Sequence, residues 1–317
     1  MRTDAFVFWM IWKASSKKLQ NEVNRGQEYS SIADAISDKT QVPFIPQKQK
    51  SVSGGCINQT SRIQSADGRD YFIKENDLHF APFFHAEAQA LVEIKKTQTI
   101  RVPEVITYGQ TPSSSFLVLE FIKEGSSSDS GSAQLGHNLA KLHMIEQSSF
   151  GWTVDNCIGA TPQPNPEREN WVEFYRAFRL EHQFNLAKKK NKRFDKVDEL
   201  LDGISFFFQD YSPHPSLLHG DLWGGNASFD SSGKPFIFDP ASYYGDREAD
   251  IAFTYMFGGF SPAFYKAYHD VYPLAPGFSM RKSLYNLYHE LNHFNLFGGG
   301  YANSAQSSID ELVAHFS

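Results

Sequence analysis

Leu217-Leu218-His219-Gly220-Asp221-Leu222-Trp223-Gly224-Gly225-Asn226, followed by Pro235-Phe236-Ile237-Phe238-Asp239-Pro240, is the stretch from which the rest of the chain can be read. An apolar pair enters a His-Gly-Asp turn, four residues separate Asp221 from Asn226, and Asp239 stands thirteen residues beyond Asn226 at the end of a strand-like run. The intervening Asp230-Ser231-Ser232-Gly233 closes a hairpin that returns Asp239 to the side of Asn226. A lone Asp-Gly pair is most often only a turn. Two carboxylates and an amide at this spacing, with a strand on each side, ask for a chemical explanation.

Phosphoryl transfer supplies one. It asks little covalent chemistry of a protein and much positioning and charge neutralisation. Asp221 is the expected base that takes the proton of an attacking hydroxyl, and Asn226 and Asp239 are the expected ligands of Mg2+ on nucleotide phosphates. Mg2+ takes oxygen ligands and keeps several waters, so one amide oxygen, one carboxylate and the phosphates suffice. His219 reads as a structural histidine bonded to backbone near the turn.

Composition narrows the class. At 317 residues the chain suits two lobes, and 41% hydrophobic with 21% charged residues is ordinary for a globular protein, here rich in aromatics with 28 Phe and 14 Tyr. A net charge of −6 argues against a nucleic-acid partner bound through its phosphates. Two cysteines, Cys56 and Cys157, form no disulfide framework, and the eleven histidines show no metal-binding spacing, so a reducing cytoplasm is expected. The apolar run Ala5 to Trp12 is far shorter than a membrane span, and no membrane partner is expected. It reads as a helix start, or as sequence upstream of a natural start at Met10.

In chain order, Lys13 to Ser37 reads as a surface helix and its exit. Lys48 to Val52, Ile57 to Gln64 and Tyr71 to Lys74 read as three antiparallel strands, joined by the Ser53-Gly54-Gly55-Cys56 turn and by Asp67-Gly68. A glycine turn can lay its N–H groups over phosphates. Lys74 ends the third strand, and Glu87 follows thirteen residues later beside the helical stripe Phe84, Ala88, Leu91. That pair is expected to fix a lysine on nucleotide phosphates. Phe116 to Phe121 is a nearly all-apolar strand leading to a hinge, where backbone near Glu120 and Ile122 would bond an adenine edge and Phe121 or Val118 would line its face. Ser126 to Ser132 reads as a linker, Gln134 to Ile145 as a core helix, and Asn156 to Asn165 as a polar loop suited to a hydroxylated substrate. Trp171 to Ala187 is a helix, and the basic run Lys188 to Arg193 a solvated face. Asp246 caps the next helix, with Glu248 in its first turn, while Asp250 is placed to reach the backbone of the His219-Gly220-Asp221 turn.

Gly54-Gly55-Cys56-Ile57-Asn58, Glu87-Ala88, Leu119-Glu120-Phe121, Leu139-Ala140 with Leu142-His143, Phe150-Gly151, Gln163 with Asn165, the Asp221-Leu222-Trp223-Gly224-Gly225-Asn226 segment and Gly245 to Ala252 together resemble the fructosamine kinase family. The likeness covers roughly Val52 to Phe260, and the Asp-Leu-Trp-x-Gly-Asn segment is its most specific part. It implies an α+β, bilobal protein-kinase-like fold of the aminoglycoside-phosphotransferase branch. Residues 1–122 would form a nucleotide-binding lobe, an antiparallel sheet with one main helix, and 123–317 a mostly helical catalytic and substrate-binding lobe. It further implies ATP and Mg2+ as cofactors and phosphorylation of the 3-hydroxyl of ketosamines, small or protein-linked, with the family's catalytic base matched by Asp221.

By the same resemblance Asn226 and Asp239 match the Mg2+ ligands, Lys74 with Glu87 the phosphate-binding pair, and Gly54, Gly55 and Cys56 the nucleotide loop. A cysteine at that loop position implies a redox-sensitive homodimer through Cys56, against the alternatives of a small buried thiol and a monomer. Asp239-Pro240-Ala241 replaces the Asp-Phe-Gly of protein kinases, and no activation loop follows. Two rivals remain at this point: a phosphotransferase of the aminoglycoside, choline or homoserine type, and an inactive nucleotide-binding module. The second requires loss of Lys74, Asp221, Asn226 or Asp239, and all four are present.

Overall fold

The computed structural model describes residues 27–52 and 57–316. The chain divides into two units, the first ending at Glu124 and the second beginning at Gly125. The expectations for residues before 27, including the apolar run Ala5 to Trp12, and for Gly54, Gly55 and Cys56 concern residues outside the described ones.

The first unit opens with helix α1 (Ile32–Thr40), started by Ser31, whose hydroxyl accepts from the Asp34 N–H. Strands β1 (Pro46–Ser51), β2 (Gln59–Ser65) and β3 (Asp70–Asn76) precede helix α2 (Ala81–Thr97), and β4 (Val105–Gln110) and β5 (Ser115–Glu120) follow it. All pair antiparallel in one sheet of order β1-β2-β3-β5-β4. Alternation along the strands gives the sheet two apolar faces. Ile63, Tyr71, Ile73, Phe116 and Val118 pack on Ala35 and Ile36 of α1 and on Phe44. Lys74 faces the other way, level with Leu117 in the register, and meets Glu87 of α2 there. Val118 therefore lies on the α1 side, opposite Lys74, and does not line the nucleotide face as the sequence suggested; Leu117 and Leu119 are the β5 residues on the lysine's side.

The second unit starts with helix α3 (Asp129–His143), whose N-cap Ser128 accepts from the Gly131 N–H. The serine run expected to be a linker is thus half helix, because Ser and Asp are also the residues that start helices. A short hairpin, β6 (Asn156–Ile158) with β7 (Thr161–Gln163), leads to α4 (Trp171–Tyr175), a π-helical turn over Arg176–Glu181, and α5 (His182–Lys189). Helix α6 (Val197–Gly203) and strand β8 (Ser216–Leu217) bring the chain to the His-Gly-Asp turn. Strands β9 (Ala227–Phe229) and β10 (Pro235–Ile237) form the expected hairpin, and β11 (Tyr244–Gly245) pairs with β8. Helices α7 (Glu248–Met256), α8 (Pro262–Val271), α9 (Phe278–Phe297) and α10 (Tyr301–Val313) complete the unit, the last two separated at Gly298 to Gly300. The fold is α+β: a sheet with one main helix on its lysine side, then a mostly helical unit.

Candidate active site

Lys74, Glu87, Glu120, Phe121 and Ile122 belong to the first unit and Asp221, Asn226 and Asp239 to the second.

In the first unit the Lys74 ammonium lies 2.7 Å from Glu87 Oε1, with Lys74 only 3% exposed. A buried ammonium needs a paired acceptor. The strand supplies the lysine and the first turns of α2 the glutamate, a pairing expected from their thirteen-residue separation. The Glu120 carboxylate turns to Arg101, at 2.8 Å, and its N–H donates to the Glu104 carbonyl. Phe121 carries the Arg62 guanidinium over its ring at 4.1 Å. Ile122 follows with no strand assignment.

In the second unit the His-Gly-Asp turn hangs from one carboxylate. Asp250, near the start of α7, accepts the His219 N–H on Oδ2 at 2.7 Å and the Gly220 N–H on Oδ1 at 2.8 Å. Gly220 has φ +83°, and a Cβ there would stand 2.1 Å from the Ala241 carbonyl oxygen, so the turn requires glycine. His219 is fully buried; its Nδ1 accepts the Asp221 N–H at 3.2 Å and its Nε2 lies 2.9 Å from the Phe238 carbonyl. That pattern fixes a neutral ring with the proton on Nε2. Burial holds its pKa below the usual histidine value, against the opposing charges of Asp250 and Asp239. His219 is thus the structural histidine expected of it and braces Asp221 against the segment after β10 that carries Asp239.

Asn226 donates its amide to the Asp221 carbonyl at 2.8 Å and to Asp221 Oδ2 at 3.1 Å. Its nitrogen is committed to Asp221, and its amide oxygen takes no part in that contact. The Phe238 N–H donates to the Asn226 carbonyl, and Ile237 pairs with Ala227, so the hairpin sets Asp239 back beside Asn226. At the hairpin's tip, Asp230 Oδ1 accepts from the Ser232 and Lys234 N–H groups. Asp239 itself has φ +57°, a left-handed conformation that Asp tolerates better than most residues. An amide oxygen and a carboxylate are both hard donors and fit Mg2+. Among the described residues no three His, Cys, Asp or Glu side chains gather as a metal cluster.

Behind the turn stands a chain of polar groups that the sequence did not reveal. The Arg247 guanidinium donates to the Tyr268 hydroxyl at 3.1 Å, the hydroxyl lies 2.8 Å from His143 Nδ1, and His143 Nε2 lies 3.1 Å from Asp250 Oδ2. Burial would raise the Asp250 pKa, but the His143 hydrogen bond and charge, with those of the turn, outweigh it and hold the carboxyl below its usual value. Leu142-His143 at the end of an apolar helix was the available signal. Asp246, also fully buried, accepts from Tyr211, Tyr285 and the Glu248 N–H, the capping role expected of it.

The polar loop proved different from its expectation. Asn156, Gln163 and Asn165 are buried, and their amides are consumed internally: Asn156 on the Ser242 carbonyl, Gln163 on Asn156 and the Ala241 carbonyl, Asn165 on Asn156 and the Val154 carbonyl. Arg179, fully buried in the π-helical turn, donates to Asn165 Oδ1 and to the Pro164 carbonyl. The amides serve the backbone behind Asp239 and are not presented to a substrate. Tyr288 of α9 donates to Gln163 at 2.6 Å, and its phenol is pushed up by burial and, in smaller part, by the charge of Asp221.

A family model described as fructosamine kinase matches residues 28–315. A probable ketoamine kinase of Synechocystis sp. is 45% identical over 292 residues, covering 92% of this chain and 99% of that one. The chloroplastic protein-ribulosamine 3-kinase of Arabidopsis thaliana is 42% identical over 269 residues, 83% of this chain and 82% of that one. Among solved structures, a Haemophilus somnus protein assigned as a fructosamine-3-kinase superposes with TM-score 0.84 at 30% identity, covering 89% of this chain and 96% of that one.

Proposed function

The chain belongs to the fructosamine kinase family, and from that membership we propose that it is an ATP-dependent kinase that phosphorylates the 3-hydroxyl of ketosamines, the adducts of fructose or ribulose type on amines. The observation that carries the reading is the Asp221 turn, in which Asp250 clamps two N–H groups and Asn226 holds the base by its carbonyl and carboxylate. Asp221 takes the proton of the acceptor hydroxyl as the oxygen bonds to the γ-phosphorus; the bond from that phosphorus to the bridging oxygen breaks, and ADP leaves with the electron pair. Lys74, kept charged and aimed by Glu87, binds the phosphates. Asn226 and Asp239 would hold Mg2+, which when bound neutralises charge on the phosphate oxygens. In this assignment residues 1–122 bind nucleotide, and residues 123–317 supply the base and the acceptor site. No described helix is long and apolar enough to cross a membrane, and a cytoplasmic location fits the two-cysteine composition.

The test is Asp221→Asn. Loss of a general base costs about 10²–10⁴-fold in turnover, while the amide keeps the volume of the side chain. We expect kcat with a ketosamine acceptor to fall by that amount and the dissociation constant of a non-hydrolysable ATP analogue to stay within about threefold. Unchanged turnover rejects the base assignment.

A further inference from the structure

Arg179 is fully buried, and its guanidinium is met by rings and carbonyls. The ring centres of Tyr243 and Phe174 lie 4.0 and 4.7 Å from its central carbon, and one terminal nitrogen donates to the Pro164 and Phe178 carbonyls at 2.8 and 3.0 Å. The other terminal nitrogen donates to Asn165 Oδ1 at 2.8 Å. The residue sits in the π-helical turn Arg176–Glu181, and such turns are rare and occur mostly at functional sites.

A guanidinium donates and cannot accept. Asn165 must therefore turn its amide oxygen to Arg179, and its nitrogen goes the other way, to Asn156 Oδ1 at 3.0 Å and the Val154 carbonyl at 3.2 Å. That fixes Asn156 in turn: its oxygen accepts from Asn165 and, at 2.8 Å, from Gln163, so its nitrogen donates to the Ser242 carbonyl at 2.8 Å. Gln163 also donates to the Ala241 carbonyl at 3.1 Å, and its own oxygen accepts the Tyr288 hydroxyl at 2.6 Å. One cation at the end of the row thus sets the polarity of three amides, and the row ends in two N–H donors on consecutive carbonyls. Every member is buried, so a reversed amide would set oxygen against oxygen and leave polar groups unpaired.

Ala241 and Ser242 follow Asp239 after a single proline. The Ala241 N–H donates to the His219 carbonyl at 2.9 Å, and the Ala241 carbonyl oxygen is the atom that a Cβ on Gly220 would meet. The same short segment therefore joins the left-handed Asp239 to the turn that carries Asp221. We propose that Arg179 is a positioning residue for the cation site: through Asn165, Asn156 and Gln163 it holds the Ala241 and Ser242 carbonyls in one orientation, and so fixes where the Asp239 carboxylate stands. The inference rests on the function proposed above, in which Asp239 holds Mg2+. Groups that orient a metal ligand from behind govern metal affinity or activity by about 10–100-fold.

The test uses the full chain with Mn2+ and a non-hydrolysable ATP analogue, free Mn2+ being read by electron paramagnetic resonance. In Arg179→Gln the side chain can accept as well as donate, so the polarity of the row is no longer set. We expect the Mn2+ dissociation constant of the nucleotide complex to rise about 10–100-fold, and kcat with a ketosamine to fall with it. The dissociation constant of the analogue in excess chelator and the ketosamine KM stay within about twofold, because neither depends on the cation ligand. Unchanged Mn2+ affinity, or equal losses in metal and metal-free nucleotide binding, overturns the positioning role and leaves the kinase reading intact. Should Arg179→Gln not fold by circular dichroism, Tyr288→Phe decides: it keeps the ring and removes only the hydroxyl on Gln163. An Mn2+ affinity about threefold weaker is then expected for the loss of one hydrogen bond, and an unchanged one overturns the role. A wild-type chain that binds the analogue but takes up no Mn2+ overturns the cation assignment itself, and the inference with it.

Discussion

Asp250 shows how much of this site is backbone held by one side chain. It satisfies two N–H groups of the turn and takes a third bond from His143, and hydrogen bonds to charged groups are worth about 1.5–3 kcal/mol each. Its pKa is lowered in the folded state, so its contribution to stability is present above the unfolded carboxyl value and is lost as pH falls through the folded one. His182 acts in a separate window. Burial pushes its pKa down to about 4, and its Nε2 lies 2.9 Å from the Pro162 carbonyl. With an unfolded value of about 6.5, acid protonates the unfolded chain first, so this contribution to stability is full above about pH 6.5 and is lost as pH falls toward 4. The expected outcome for His182→Gln is a flatter loss of stability between those two values, read by urea unfolding at several pH values. A slope equal to wild type contradicts the assignment.

Between elements, Arg281 of α9 holds Glu248 of α7 in a bidentate pair with side chains 3% and 0% exposed. Glu248 also accepts the Ala275 N–H, and the guanidinium stacks on Tyr211 at 4.1 Å. Removing one partner of a buried pair strands the other, at about 3–5 kcal/mol. Arg281→Met is expected to lose that much in urea unfolding, and Arg281→Met with Glu248→Gln markedly less. Equal losses in both would show that shape, not charge, is what α7 and α9 exchange. The sequence placed Glu248 in a first helical turn but gave no sign of this partner, thirty-three residues away, because a charge pair between helices has no spacing rule. Local rules served better: the Asp230 to Gly233 hairpin and the Lys74 and Glu87 pair follow from short-range register, while the Asp250 clamp, about thirty residues from the turn it holds, was read from the motif around it. Val118 and the Asn156 to Asn165 amides were misread for one reason. Which face of a strand or loop meets the core is decided by elements distant in sequence, here α1 for Val118 and the segment Ala241 to Ser242 for the amides.

At the scale of the whole molecule, Lys74 and Glu87 belong to one unit and Asp221, Asn226 and Asp239 to the other. The order of these parts was legible from the motifs, since phosphoryl transfer limits which residue types can serve. Their acceptor class, ketosamines, was legible only through the family resemblance and not from the residues alone, because the polar residues that suggested a substrate loop turn inward. Family membership narrows the acceptor, and fructose and ribulose adducts differ by one hydroxymethyl group, a matter of pocket size. The most direct measurement is the mass of the products when the enzyme is incubated with ATP and, in parallel, fructosyl-lysine, ribulosyl-lysine, choline and kanamycin. We expect at least one ketosamine to gain a single phosphate, lost from the product set in Asp221→Asn, with choline and kanamycin unmodified; phosphorylation of choline or kanamycin and of neither ketosamine would contradict the account.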